Sequence, residues 1–152
     1  MGELLESVAR FFEDDGWAYS RLGNDMLRAP CTGEHGEWIC YARALEDPPA
    51  LIVYSSCPFA IPEDRRLEMA ELLCRANWGL MLGAFEMDLA DGELRYRTGQ
   101  AMPEGGFAPA HLGKVIYENV LAMDRYLPAI EAVAWLGSDA KSAVAAVERE
   151  DG

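Results

Sequence analysis

An Asp91-Gly92 step between two extended, alternating segments constrains this chain more than any other feature. Asp-Gly readily takes the backbone angles a tight β-turn needs, so residues 81–89 and 93–99 are predicted to pair as an antiparallel hairpin. Along the first strand Phe85, Met87 and Leu89 alternate with Glu86 and Asp88, giving one side for a core and one for water. Arg95 and Arg97 can meet those acids across the hairpin, each contact contributing roughly 0.2–1 kcal/mol. With Asp91 and Glu93 nearby, the acidic cluster reads as a solvated strand edge.

The rest of the chain supplies partners for that hairpin. Residues 37–45 alternate Trp38, Cys40, Ala42 and Ala44 with Ile39, Tyr41, Arg43 and Leu45, a strand with both faces partly covered. Asp47-Pro48-Pro49 turns the chain into residues 50–57, whose Leu51-Ile52-Val53-Tyr54 run predicts a central strand. Residues 17–30 read as a strand, a Gly23-Asn24 turn and a second extended piece.

Three helices, the first of them short, follow from apolar spacing. Leu4, Leu5, Val8, Phe11 and Phe12 define a first one, ended by Gly16. Pro62, Glu63 and Asp64 start a second, running to about Leu80, with Leu67, Ala70, Cys74, Asn77, Trp78 and Met81 as its expected inward stripe. Residues 110–136 form a third, with Leu112, Val115, Ile116, Asn119, Met123, Leu127 and Ile130 inward and a kink or break expected at Pro128. After Gly137, Ser138 or Asp139 can cap a short Ala-rich helix to about Glu148, followed by a frayed tail.

The order α-β-β-β-α-β-β-α specifies an α+β fold: an antiparallel sheet of about five strands with helices packed on one face. Residues 1–137 make up the domain, and 138–152 a C-terminal short helix and tail. At 152 residues one hydrophobic core is the default.

Charge narrows the function. Thirteen Lys and Arg against 26 Asp and Glu leave a formal charge of -13, so a phosphate backbone or an anionic membrane surface is repelled. No apolar run approaches the ~20 residues of a spanning helix. Residues 1–15 lack the basic start and apolar middle of a secretory signal, and a cytoplasmic location is expected. Cys31, Cys40, Cys57 and Cys74 show no C-x-x-C spacing and read as reduced, buried thiols.

Catalytic candidates are few. His35 and His111 are far apart, and neither carries a nucleophile motif. A zinc site from Cys31, His35 and Cys40 lacks a fourth ligand, and Cys40 belongs to a regular strand. Gly105-Gly106 is too short for a phosphate loop. No catalytic residue, cofactor or metal is therefore expected. Asn77 and Asn119 fall inside apolar helix stripes, where a buried amide must find a strand end, a neighbouring helix or a ligand. Trp38, Tyr54, Tyr126 and Trp135 exceed what one small core can hold and are candidate interface residues.

Four segments together carry a family resemblance. They are Arg75-Ala76-Asn77, residues 83–88 (Gly-Ala-Phe-Glu-Met-Asp), residues 91–97 (Asp-Gly-Glu-Leu-Arg-Tyr-Arg), and Asn119 with residues 123–128 (Met-Asp-Arg-Tyr-Leu-Pro). In these the chain resembles the YbjN-type domain, a family described as bacterial sensory transduction regulators. The likeness covers nearly the whole chain, but not the Ala-rich segment after Gly137. It implies a fold similar to type III secretion chaperones, frequent dimerisation and a regulatory or chaperone-like role without an established activity, and it brings no catalytic residues. A shared fold alone does not establish function.

The expectation is thus a non-enzymatic protein-binding module, acting as a homodimer. It would hold another protein or peptide segment on its sheet or helix faces, by strand addition or groove docking. Trp38, Tyr54, Asn77, Asn119, Tyr126 and Trp135 are its candidate contact residues. The alternatives are a small-molecule sensor with Asn77 and Asn119 facing an apolar cavity, or a small hydrolase using the hairpin carboxylates.

Overall fold

Buried and half-buried side chains alternate strictly along the longest strands, and that alternation organises the molecule. The computed structural model describes residues 2–150. Helix α1 (Glu3–Asp14) precedes strands β1 (Ser20–Leu22), β2 (Met26–Thr32), β3 (Glu37–Glu46) and β4 (Pro49–Ser56). A single 3-10 turn (Glu63–Arg65) leads into α2 (Arg66–Gly79), the hairpin β5 (Gly83–Met87) and β6 (Leu94–Ala101), then α3 (Pro109–Trp135) and α4 (Ala140–Glu150). Among the described residues the strands form one antiparallel six-stranded sheet in the order β1-β2-β3-β4-β6-β5. The count exceeds the expected five because the turn within residues 17–30 makes two strands of that segment.

One sheet face is dry. Trp38, Cys40, Ala42 and Ala44 of β3 stand beside Cys31, Ala29 and Leu27 of β2 and beside Ser55, Val53 and Leu51 of β4. The same face continues through Tyr96 and Thr98 to Phe85 at the edge. Helix α3 lies over β4 and β6, and α1 over β2 and β3, their Leu5, Val8, Phe12, Ile116, Met123 and Ile130 completing the core. The hairpin forms as expected, with a longer connection than a two-residue turn. Residues 88–93 loop out, Gly92 takes φ 81°, and its carbonyl accepts the Ile61 N–H at 2.9 Å.

Two expectations about helices require correction. Helix α3 runs unbroken through Pro128. Proline lacks the N–H that would bond the Asp124 carbonyl four residues back, and His35 Nδ1, 3.1 Å away, donates to that oxygen instead. The Asp124 carboxylate also accepts the N–H groups of Glu34 and His35 at 3.1 and 2.8 Å, clamping the β2–β3 turn onto α3. The turn can approach that closely because residue 33 is glycine: a Cβ there would lie 2.7 Å from the Trp38 ring.

The second correction concerns α2. Its inward set is Met69, Leu72, Leu73 and Ala76, spaced i, i+3, i+4, i+7. The predicted stripe of Leu67, Cys74 and Trp78 points the opposite way, into solvent.

Helix α4 shares the same core through Ala140, Ala143, Val144 and Val147. Asp139 caps it by accepting the Ser142 N–H at 2.8 Å, and Glu68 of α2 accepts the Ala140 N–H at 2.8 Å. Arg65 donates to the carbonyls of Val133 and Ser138, both at 2.7 Å, closing the end of α3. The helix reaches Glu150, two residues past its expected end, and the remainder of the expected tail, 151–152, lies outside the described residues. Among the described residues no helix is long and apolar enough to cross a membrane.

Candidate functional site

A helix with apolar residues on opposite sides has one side too many for a two-layer domain. At 3.6 residues per turn, the Met69, Leu72, Leu73, Ala76 set and the Leu67, Cys74, Trp78 set sit about 180° apart. The first set packs inward. The second is bare: Leu67 is 82% exposed and Trp78 95%, and Met81, just past the helix end, is 94% exposed. Beside it runs a shallow depression of about 600 Å³, bordered by Ala70, Leu73, Cys74, Trp78, Met87 and Leu89. An exposed apolar surface of this kind, continuous along a helix and a strand, is a candidate interaction site.

Asn77 governs how that site can be used. β5 is an edge strand, and its central residue Phe85 turns its N–H and C=O away from β6. The Asn77 side chain meets both, its Oδ1 accepting the Phe85 N–H at 2.8 Å and its Nδ2 donating to the Phe85 carbonyl at 3.0 Å. A side-chain amide thus occupies the place of an added strand, a device that blocks edge-to-edge pairing. Groove docking, not strand addition, is what the β5 edge permits.

The other sequence candidates separate by environment. Trp38 and Tyr126 are core residues: Trp38 Nε1 donates to Ser55 Oγ at 3.0 Å, and Tyr126 packs edge-on against Phe85 with ring centroids 5.5 Å apart. Asn119 is fully buried, its Nδ2 lying 2.9 Å from the Val53 carbonyl, 3.1 Å from the Tyr96 carbonyl and 3.2 Å from Thr98 Oγ1. It ties α3 to β4 and β6, and none of these three residues offers a surface. Trp135 is more than half exposed and packs edge-on against Phe59 at the end of α3. Tyr54 is half-buried on the uncovered side of the sheet, with the Arg95 guanidinium 4.3 Å from its ring centroid.

The hairpin carboxylates do not meet a histidine. Glu86 is bridged by Arg95 at 2.6 Å and by Arg97 at 3.3 Å, and its depression is shared with Met87, Asp88, Glu93 and Arg95. His111 sits elsewhere, 3.0 Å from Gln100. His35 belongs to the Asp124 clamp, where Glu34, His35 and Asp124 bring ligand-type atoms within 4.8 Å of one another. Both oxygens of that carboxylate already accept backbone N–H groups, so the trio reads as a structural clamp. Burial pushes the Cys57 thiol and the Tyr96 hydroxyl up to about 12 each. Neither has an adjacent base that would make it a nucleophile. The four cysteines are free, Cys31 and Cys40 buried and Cys74 exposed.

Comparison with known proteins bears on this arrangement. The family model described as "YbjN: Putative bacterial sensory transduction regulator" matches residues 4–132. The chain belongs to the YbjN family. The match ends within α3, so α4 lies outside it. Among solved structures, this YbjN chain is similar to YbjN from E. coli, described as "a putative transcription regulator", with a TM-score of 0.62 and 10% identity. That alignment covers 84% of this chain and 90% of the other, and it establishes the shared fold. No curated protein matches the sequence.

Proposed function

We propose that this YbjN-family chain is a non-enzymatic, cytoplasmic regulatory module that works by binding protein, in a chaperone-like manner. We infer that it acts as a homodimer whose interface is the outer stripe of α2. The observation that carries this reading is the exposed stripe itself, apolar and centred on Cys74.

The stripe is arranged to receive its own copy. Leu67 and Met81 stand seven residues on either side of Cys74, and Ala70 and Trp78 four on either side. Across a two-fold axis at Cys74, an antiparallel second copy sets each Trp78 over the small Ala70 of its partner. This is the self-complementarity an isologous contact requires. Its area is also adequate. Trp78 offers about 200 Å², and Leu67, Met81 and Leu89 about 100 Å² each at ordinary side-chain burial, on the order of 500 Å² of apolar surface. At the usual apolar share of about 60%, that implies about 800 Å² per protomer, the size of a standard stable interface. Two carboxylates border this surface, Glu71 and Glu86, and both are bridged, Glu71 by Arg75 at 2.9 Å and Glu86 by Arg95 and Arg97.

Sedimentation velocity is the test. The chain should sediment at twice its 16.8 kDa, and Trp78→Ala or Leu67→Glu should return it to monomer with an unchanged far-UV spectrum. A bismaleimide should join two copies through Cys74, the exposed thiol. A monomer at about 100 µM, a concentration far above the Kd of an interface this size, would refute the dimer. A dimer indifferent to both substitutions would refute the α2 seat.

A further inference from the structure

The second unpartnered surface is the uncovered face of the sheet. Its register reads directly across four strands: Arg28 of β2 opposes Tyr41 of β3, Tyr41 opposes Tyr54 of β4, and Tyr54 opposes Arg97 of β6. The flanking rows add Arg43 beside Ile52 on one side and Ile39, Ser56 and Arg95 on the other. None of these side chains is buried. A solvent-facing sheet ordinarily carries polar residues, and here they are arginines interleaved with tyrosines, two of the residue types that dominate binding hot spots.

Charge makes the face more unusual. The chain has a formal charge of -13, yet four of its 13 basic residues share this grid. Asp25 bridges Arg43 at 3.0 Å, and Glu86 serves both Arg95 and Arg97. Arg28 has no hydrogen-bond or ion-pair partner among the described residues. One carboxylate is shared between two guanidiniums at one end of the Arg28–Tyr41–Tyr54–Arg97 row, and none serves the other end.

We propose that this face binds an extended acidic peptide segment. Carboxylates of the peptide sit on Arg28 and Arg97, and the apolar side chain midway between them, which alternation turns to the same side, lies against Tyr41 beside the Arg95-capped Tyr54 ring. The spacing is definite. Arg28 and Arg97 are three strand steps apart, about 14 Å at ~4.8 Å per step, and an extended chain covers that in four residues at ~3.4 Å each. The ligand motif is therefore two acidic residues four apart with apolar residues between, crossing the strands at right angles. A short peptide places its carboxylates on the grid alone. A nucleic acid or an anionic bilayer would extend its charge over the acidic surface beyond and be repelled. This site touches the α2 surface at Glu86, which bridges Arg95 and Arg97 and also borders the α2 depression, but peptide binding there does not depend on the dimer.

The test uses the full chain and a fluorescein-labelled ten-residue peptide with two glutamates four apart and leucines between, followed by fluorescence anisotropy. Saturable binding in low salt is expected, weakening about tenfold or more as the Debye length shortens from about 14 to about 6 Å. Arg28→Glu and Arg97→Glu should each weaken it about tenfold or more. Arg28→Gln, retaining the native melting temperature, should do so to a smaller extent. Trp78→Ala should leave the affinity unchanged. Four results would overturn the proposal: no binding in low salt, equal binding of the peptide with lysines for glutamates, tighter binding of an oligothymidylate of matched charge, or loss of peptide binding in Trp78→Ala. That last outcome would transfer the site to α2 and leave the protein-binding reading intact.

Discussion

Replacing Asn119 by alanine tests whether a polar side chain holds the two layers together. Its Nδ2 has two protons, and the Val53 and Tyr96 carbonyls at 2.9 and 3.1 Å are its nearest acceptors. Asn119→Ala takes that donor from two carbonyls that keep their strand-ladder partners, at about 1 kcal/mol each, and opens a cavity the size of the amide at about 1 kcal/mol more. Against that loss, Asn119 Oδ1 has no hydrogen-bond partner among the described residues, and removing it recovers about 1 kcal/mol of desolvation cost. The net destabilisation is about 2 kcal/mol, or a melting temperature lower by about 6 °C for a domain of this size. Urea unfolding followed by circular dichroism reads the value directly, with an unchanged m-value required for the comparison to hold. A loss under about 0.5 kcal/mol, within the range of an ordinary surface substitution, would mean the amide does not bind the helix to the sheet.

Asp124→Ala removes the acceptor of two backbone N–H groups, and a loss of about 2 kcal/mol is expected, with faster amide exchange confined to residues 33–36 and their contacts. Raising pH should destabilise the fold. Burial holds Cys57 and Tyr96 up at about 12 when folded, against ordinary values of 9.0 and 10.0, so their contribution is complete below pH 9 and is lost as pH rises toward 12, readable in melts at stepped pH. Arg65→Ala should loosen the α3–α4 junction by leaving the Val133 and Ser138 carbonyls without their donor, seen as earlier tryptic cleavage at Lys141 with the sheet still protected. Self-association should tighten as salt rises from about 10 to 150 mM, since screening relieves repulsion between two chains of charge -13, opposite to the salt response of the peptide site.

The fold was legible where one pattern had one explanation. Residues 37–45 alternate so regularly that Trp38, Cys40, Ala42 and Ala44 could only share a face, and they line the core. The hairpin, the charge pairing of Glu86 with Arg95 and Arg97, and the inward position of Asn119 were readable for the same reason. The clamp at Asp124 was not. A proline in a helix announces a carbonyl without its N–H, but nothing local tells that a glycine-flanked histidine about 90 residues earlier will fill it. Contacts of that span are set by packing, and one sequence records them only through their parts.

Helix α2 shows why the candidate site was harder to read than the fold. Periodicity finds apolar stripes, but it does not say which is covered, and α2 has two. Trp78 gave the outer stripe the larger hydrophobic weight, so size favoured the wrong side. What selects Met69, Leu72, Leu73 and Ala76 is shape: that side ends in Ala76, small enough for close packing, and keeps Asn77 beside the β5 edge with both polar atoms on Phe85. Rotating α2 by half a turn would bury Trp78 but strip the Phe85 backbone of those two bonds, a cost of about 1–3 kcal/mol for each buried group left unpaired. A helix fixed in this way leaves its second apolar stripe exposed, and the proposed second copy would cover it. The feature that misled the sequence reading is therefore the strongest structural argument for a partner.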